Sequence, residues 1–360
     1  MAMDRWFIGG GAEHTPESAR RLVYSSTSGA EGIGGATDLQ VLPTTPTGPS
    51  VRVTIGSALI RSRYQGGETQ TYMGTVYSQE TVAVAPTGSS ARSDLVVMRV
   101  EDPFAAGSPY SAPSAANIAT APYVFIRVIS GVPANTTRVQ SVPGHANDTA
   151  IALARIDIPA NQGVVLSTYI KDLREVAVPK RSEVVFARPR VAADAGAQSN
   201  LGTGSTVAAG GEVFPGGGGF SNEFQVRIPE WATRMVVDAA WMGVSYKSQT
   251  NPGGRYWMEF GDEYRDHTWP DKKQWEFTTQ QFAFGSVRSS FASDGAVTEW
   301  RLMDTRTVPA KLKGKLVTFA FKAGHEGAYA SGNISMGALG GLGCRLTFAE
   351  EAVDGNANLT

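Results

Sequence analysis

From Asp38 onward, apolar residues recur at every second position in short runs, and no long helical pattern interrupts them. Val51–Ile55, Ala58–Arg63, Thr71–Tyr77 and Thr81–Ala85 are the first of these runs, separated by Pro, Gly, Gln or Ser. Side chains that alternate at period two line strands with one buried face, so an antiparallel sheet or barrel is expected. The 41 glycines and 19 prolines among 360 residues supply the tight turns of an all-β chain. Residues 1–37 read differently, as an arm and a short helix. Trp6, Phe7 and Ile8 form an apolar tip before a Gly9–Gly11 hinge, docked either on its own domain or in a neighbouring subunit. Thr15 then caps a helix with Pro16 at its first position and Glu17 in its first turn, running through Tyr24 and ending at Ser-Thr-Ser-Gly29.

Residues 38–178 form one β module. Its most hydrophobic run, Arg92–Pro103, reads as a central strand, and Tyr123–Ile129 is expected to pair with it across a Pro/Ala/Ser-rich loop. The module closes at Ala150–Glu175: Ile151, Leu153, Ile156 and Ile158 alternate, and Pro159–Gly163 breaks the strand. Val164–Leu166 leads into a turn or single helical turn from a Ser167 cap, ending before Pro179. The Asp94-Leu-Val-Val strand, the second strand ending Gly131-Val-Pro, and the Leu-Ala-Arg-Ile strand followed by Ile170-Lys-Asp-Leu-Arg174 together resemble the N-terminal module of phage minor tail, tail-fibre and upper-baseplate proteins, especially those of Gram-positive and actinobacterial hosts. That resemblance covers about half of the chain. It implies a virion component that docks on the tail, assembles with other tail proteins and with itself, commonly as a homotrimer, and carries no catalytic residue.

Residues 179–219 read as a linker because Pro179, Pro189, Asp194–Ser205 and Pro215–Gly219 cannot sustain a packed element, although Glu183–Phe186 suits a first strand of the next module. Residues 220–350 again read as all-β. Phe224–Ile228, Met235–Tyr246, Tyr256–Phe260, Trp275–Phe284, Val297–Met303, Leu316–Lys322 and Cys344–Phe348 are seven expected strands, enough for a β-sandwich or jelly roll. Residues 351–360 are left as a tail. Ile228–Val237 is similar to the opening of the C-terminal sandwich in actinobacteriophage minor tail proteins. Trp241, Trp257 and Trp300 lie in alternating strands and are assigned to the core.

Trp269 differs, because it sits in the polar stretch Asp262–Lys273. An exposed indole beside Tyr264, Asp266 and His267 has the chemistry that holds a sugar, ring face stacked and hydroxyls hydrogen-bonded. Trp269 laid over its own loop, or buried between subunits, is the alternative. The rest of the chain offers little for catalysis. The four histidines His14, His145, His267 and His325 show no metal-ligand spacing, no nucleophile elbow or phosphate loop occurs, and no cofactor site is expected. Glu259, Asp262, Glu263 and Asp266 could supply a glycosidase carboxylate pair, but carboxylates so close in sequence suit a solvated turn better. The lone Cys344 permits no disulfide framework and reads as a buried thiol. A net charge of −1 gives no field for nucleic acid, and no run approaches the ~18 apolar residues of a membrane span. The first residues lack the apolar core of a signal peptide, so synthesis in a cytosol is expected, and the resemblance implies a host cytoplasm and assembly into a virion tail. With the resemblance, the expected function is structural: a tail-tip or baseplate protein that is not an enzyme, with its C-terminal half turned to a host-surface saccharide or protein. A glycan-binding or glycan-cleaving depolymerase is the alternative.

Overall fold

A computed structural model describes residues 14–192, 196–202, 204–216, 224–247, 253–261, 277–284, 296–326 and 333–354. The chain divides into two compact units, Met1–Pro179 with Glu351–Thr360, and Lys180–Glu350. The second unit is thus inserted into the first, and residues 351–354 return to unit 1. Val353 donates its backbone N–H to Ala36 O at 2.9 Å, and its carbonyl accepts from Gln40 Nε2 at 3.1 Å.

Unit 1 begins with α1 (Pro16–Ser26), in which Thr15 Oγ1 accepts from Ser18 N at 3.3 Å. Gly29, at φ 70°, ends the helix by donating to Tyr24 O at 2.8 Å; that left-handed conformation is one glycine adopts without strain. There follow β1 (Gly32–Ile33), β2 (Val41–Gly48), β3 (Ser50–Val53), β4 (Gly56–Arg61), β5 (Thr71–Val76) and β6 (Glu80–Ala83). The larger strands are β7 (Arg92–Val100), β8 (Val124–Val132), β9 (Ala150–Ile158) and β10 (Ile170–Asp172). They assemble as β1-β4-β5, β2-β3-β6 and β10-β9-β7-β8. The expected β7–β8 pairing is present, with Arg99 opposite Phe125 and Met98 opposite Ile126. One face of this four-stranded sheet packs on Ile33, Val51, Val53 and Ile60, and the other on Val139 and Val142. The turn at Ser167–Tyr169 is a short 3-10 segment in which Leu166, not Ser167, holds the N-cap position and no side chain caps it, and its chain continues as β10 against β9. β2 breaks the expected alternation because it contains Pro43 and Pro46; it is an edge strand, where a missing N–H is tolerated.

Unit 2 contains β11 (Arg181–Arg188), β12 (Gln198–Asn200), β13 (Glu212–Val213), β14 (Phe224–Arg227), β15 (Arg234–Lys247) and β16 (Gly254–Gly261). It continues with β17 (Phe277–Thr278), β18 (Phe282–Phe284), β19 (Ala296–Thr307), β20 (Leu316–His325) and β21 (Asn333–Ala349). One sheet runs β11-β21-β15-β19, with β12 also on β21. The other runs β13-β20-β16-β17, with β14 also on β20 and β18 also on β16. That order, with adjacent strands antiparallel, is the jelly roll. Here the structure departs from the linker expected over 179–219. β11 pairs along its full length with β21, and β13 and β14 lie in one line along β20, so this stretch supplies an edge to each sheet. Phe214, fully buried within it, accepts a 2.9 Å hydrogen bond from Trp241 Nε1. The run expected as one strand over Trp275–Phe284 is split at Thr279, whose hydroxyl and N–H both bond to the Met258 backbone.

The core between the sheets is aromatic. The Trp300 ring is stacked between Tyr256, at 5.0 Å, and Phe284, at 4.6 Å, while Trp241 meets Tyr256 and Phe321 edge-on. Trp241, Trp257 and Trp300 are buried, as is Cys344, whose thiol burial pushes well above its ordinary range.

Candidate functional site

Tyr264, Asp266, His267 and Trp269 lie outside the described residues, as do Trp6–Ile8. Their anchors are described. Phe260, near the end of β16, stands opposite Phe277 at the start of β17, and Gly261 stands opposite Thr318. Arg181, Ala349 and Arg234 lie at the same end of the jelly roll, so the anchors Gly261 and Phe277 are at the end at which the chain enters and leaves the unit. The flanks of 248–252, 285–295 and 327–332 gather at the opposite end, where Lys247 faces Asn333 and Gly254 faces both Phe284 and His325. Glu259, one of the carboxylates considered for sugar cleavage, is largely buried. It accepts from Trp257 Nε1 at 2.8 Å and lies 3.4 Å from Lys322 Nζ.

The densest set of described charges lies in unit 1. Arg99 donates to Glu101 at 2.7 Å and reaches Asp148 at 3.5 Å, and Arg127 grips both oxygens of Glu101 at 2.9 and 3.1 Å. His145 Nδ1 is 2.9 Å from Asp148, while the Arg99 guanidinium sits 5.1 Å above the Tyr110 ring. Burial alone would raise the Glu101 carboxyl, but hydrogen bonds and charge from Arg127 and Arg99 outweigh it and leave it below its ordinary value. Burial pushes the Tyr110 phenol up to about 12 against the opposing pull of Arg99. Tyr72 is also raised, by burial and by the hydrogen bond it donates to Asp102 at 2.9 Å. These groups satisfy one another, so the cluster acts as a clamp holding the 102–122 and 133–149 connections onto β7 and β8.

A cavity of about 260 Å³ lies beside it, lined by Glu31, Arg138, Gln140, Ile151, Leu173 and Glu175 among others. Glu31 receives both a two-pronged contact from Arg63, at 2.8 and 2.9 Å, and Arg138 at 3.4 Å. Gln140 Nε2 donates to the Asp148 and Ala150 carbonyls, capping the strand edge on that wall.

One arginine organises unit 1, and apolar alternation alone does not mark it. Arg174, its side chain 1% exposed, donates to both oxygens of Asp172 at 2.9 and 2.7 Å, to Asp38 O at 2.5 Å and to Val353 O at 2.6 Å. A signal existed. Arginine and a carboxylate two residues apart on a strand share a face, and the same spacing forms ion pairs at Arg92–Asp94, Arg99–Glu101, Arg155–Asp157, Arg301–Glu299 and Arg306–Asp304.

No family model and no curated protein matches this chain. Among solved structures, the infectious bursal disease virus Gx strain is similar over 91% of this chain and 76% of that one, at 11% identity and a TM-score of 0.23. The VP2 subviral particle of the same virus aligns over 90% and 75%, at 11% identity and 0.20. PNGase F, a glycosylasparaginase from Flavobacterium meningosepticum, aligns over 84% and 96%, at 7% identity and 0.26. Scores this low carry no argument about what the chain does.

Proposed function

We propose that this chain is a structural component of a phage virion, a minor tail or upper-baseplate protein that docks through unit 1 and offers its jelly roll to the host surface. What supports the reading is where the resembling residues lie. Arg92–Val100, Val124–Val132, Ala150–Ile158 and Ile170–Asp172, far apart in sequence, are neighbouring strands of one sheet, so the resemblance spans a cooperative structural unit.

Mass spectrometry of purified particles, with gold-labelled antibody against unit 2, tests the proposal. The chain should be found in the particle and the label at the tail tip; absence from the particle rejects the reading. If reducing ends are released when the purified protein meets host cell-wall polysaccharide, the protein is instead a depolymerase. For host attachment, Trp269→Ala should weaken each contact by about tenfold, equivalent to the ~1.4 kcal/mol expected of a stacked ring. Unchanged adsorption of particles carrying that variant would remove the 262–273 stretch from recognition.

A further inference from the structure

The outward face of the β11-β21-β15-β19 sheet is open. Val185, Met242 and Met303 on it are 61%, 41% and 68% exposed, whereas Leu346, Val237 and Leu302 on its inner face are buried. Strand register arranges the outward side chains in rows. Val185, Arg345, Asp238 and Met303 stand side by side, followed by Ala187, Gly343, Ala240 and Arg301. Gly341 and Met242 come next, and the centre of the face is built of small residues, which lets another sheet approach.

We propose that this face pairs with the same face of a second copy about a two-fold axis. The axis runs close to the strand direction, midway between β21 and β15. A half turn about it lays β21 over the second copy's β15 and β11 over its β19. Arg345, whose Nε lies 3.6 Å from Glu183 of its own copy, then meets the second copy's Asp238 with the rest of its guanidinium, Val185 meets its Met303, and each contact occurs twice. Each Met242, whose methyl lies over Gly341 of its own strand neighbour, comes against the second copy's Met242 and Gly341, and Gly343 comes over Ala240. Moving the axis onto β15 would set Asp238 against itself, and moving it onto β21 would do the same to Arg345, so charge selects the intermediate position. Four strands about 4.8 Å apart and some ten residues long offer roughly 500 Å² per copy. The total of about 1,000 Å² is the low end for a specific pair. The pairing is independent of where the chain works, and it differs from the three-fold assembly that the resemblance implies.

Sedimentation velocity on the full chain from about 1 to 100 µM tests the pairing. The wild type should reach a dimer. Asp238→Arg and Arg345→Asp should each be monomeric, their self-association weakened by more than about a hundredfold, because each sets like charges together twice. Mixing the two single variants should restore a dimer containing one of each. In that mixed pair the native Arg345 of one copy meets the native Asp238 of the other, and the two substituted side chains meet each other with their charges exchanged. Pairing within one sheet cannot produce that rescue. Should either charge variant fail to fold, Met303→Glu on the exposed edge of the face gives the same loss. A wild-type monomer across the range, a trimer indifferent to these changes, or no rescue on mixing would each overturn the proposal.

Discussion

Replacing Arg174 by alanine should unfasten unit 1 at the point where its last strand, its Asp38 loop and the returning C-terminal segment meet. The guanidinium is almost wholly buried and donates to a carboxylate and two carbonyls. Removing it leaves Asp172 as a charge without its main partner and two carbonyls without these donors. Breaking one side of a buried pair costs about 3–5 kcal/mol, and the two carbonyls set the upper part of that range. For a unit of this size each kcal/mol lowers the melting temperature by about 2–4 °C, so a fall of roughly 10 °C is expected. Arg174→Lys keeps the charge but loses the planar fork, which places it between wild type and alanine. Hydrogen exchange on the full chain is the decisive assay, because it reads the units separately. Protection should drop in Ala150–Ile158 and Val41–Gly48 while Arg234–Lys247 of unit 2 is unchanged. If Arg174→Ala loses less than about 1 kcal/mol, or loses protection equally in both units, the assignment of Arg174 as the tie of unit 1 is wrong.

The remaining predictions test other parts of the fold. Deleting 351–360 removes the Val353 carbonyl and the packing of Ala352, and should cost unit 1 about 1–3 kcal/mol by urea unfolding while leaving unit 2 unaffected. His325 is fully buried, with neither ring nitrogen bonded among the described residues, so His325→Leu should raise the stability of unit 2 by about 1–2 kcal/mol; a lower melting temperature refutes this. Glu101→Gln should destabilise unit 1 by about 1–3 kcal/mol at pH 7. Because the folded carboxyl lies below its ordinary 4.5, the stabilisation is complete above that value and disappears as pH falls through the folded value, so variant and wild type should converge in urea titrations carried out well below pH 4.5.

The period-two pattern made most strands of both units legible, because alternation reports burial directly. The helix start at Thr15 and the pairing of Arg92–Val100 with Val124–Val132 followed from local chemistry in the same way. The 179–219 stretch was harder to read for a physical reason. Prolines and glycines show that a strand is interrupted, but not that the chain resumes against the same partner. β13 and β14 do so on β20, at Val213–Lys322 and again at Phe224–Phe319. Edge strands tolerate such breaks, since only one side needs hydrogen bonds. The return of 351–354 to unit 1 had no local sign at all, because its contacts are to residues more than 170 positions away.

His325 shows how a pattern can be present and unused. Val317, Phe319, Phe321 and Ala323 alternate into the core, and the same phase carries position 325 inward. Metal-ligand spacing among histidines carries no information about that phase. The same holds for arginine and carboxylate at i and i+2: on a helix those positions point apart, on a strand they share a face, so the pairing can be read only once the strand has been assigned. Charge placement in this chain is therefore a consequence of its β period. The proposed pairing of Arg345 with a second copy's Asp238 extends this reasoning from neighbours within one sheet to the same rows facing across two.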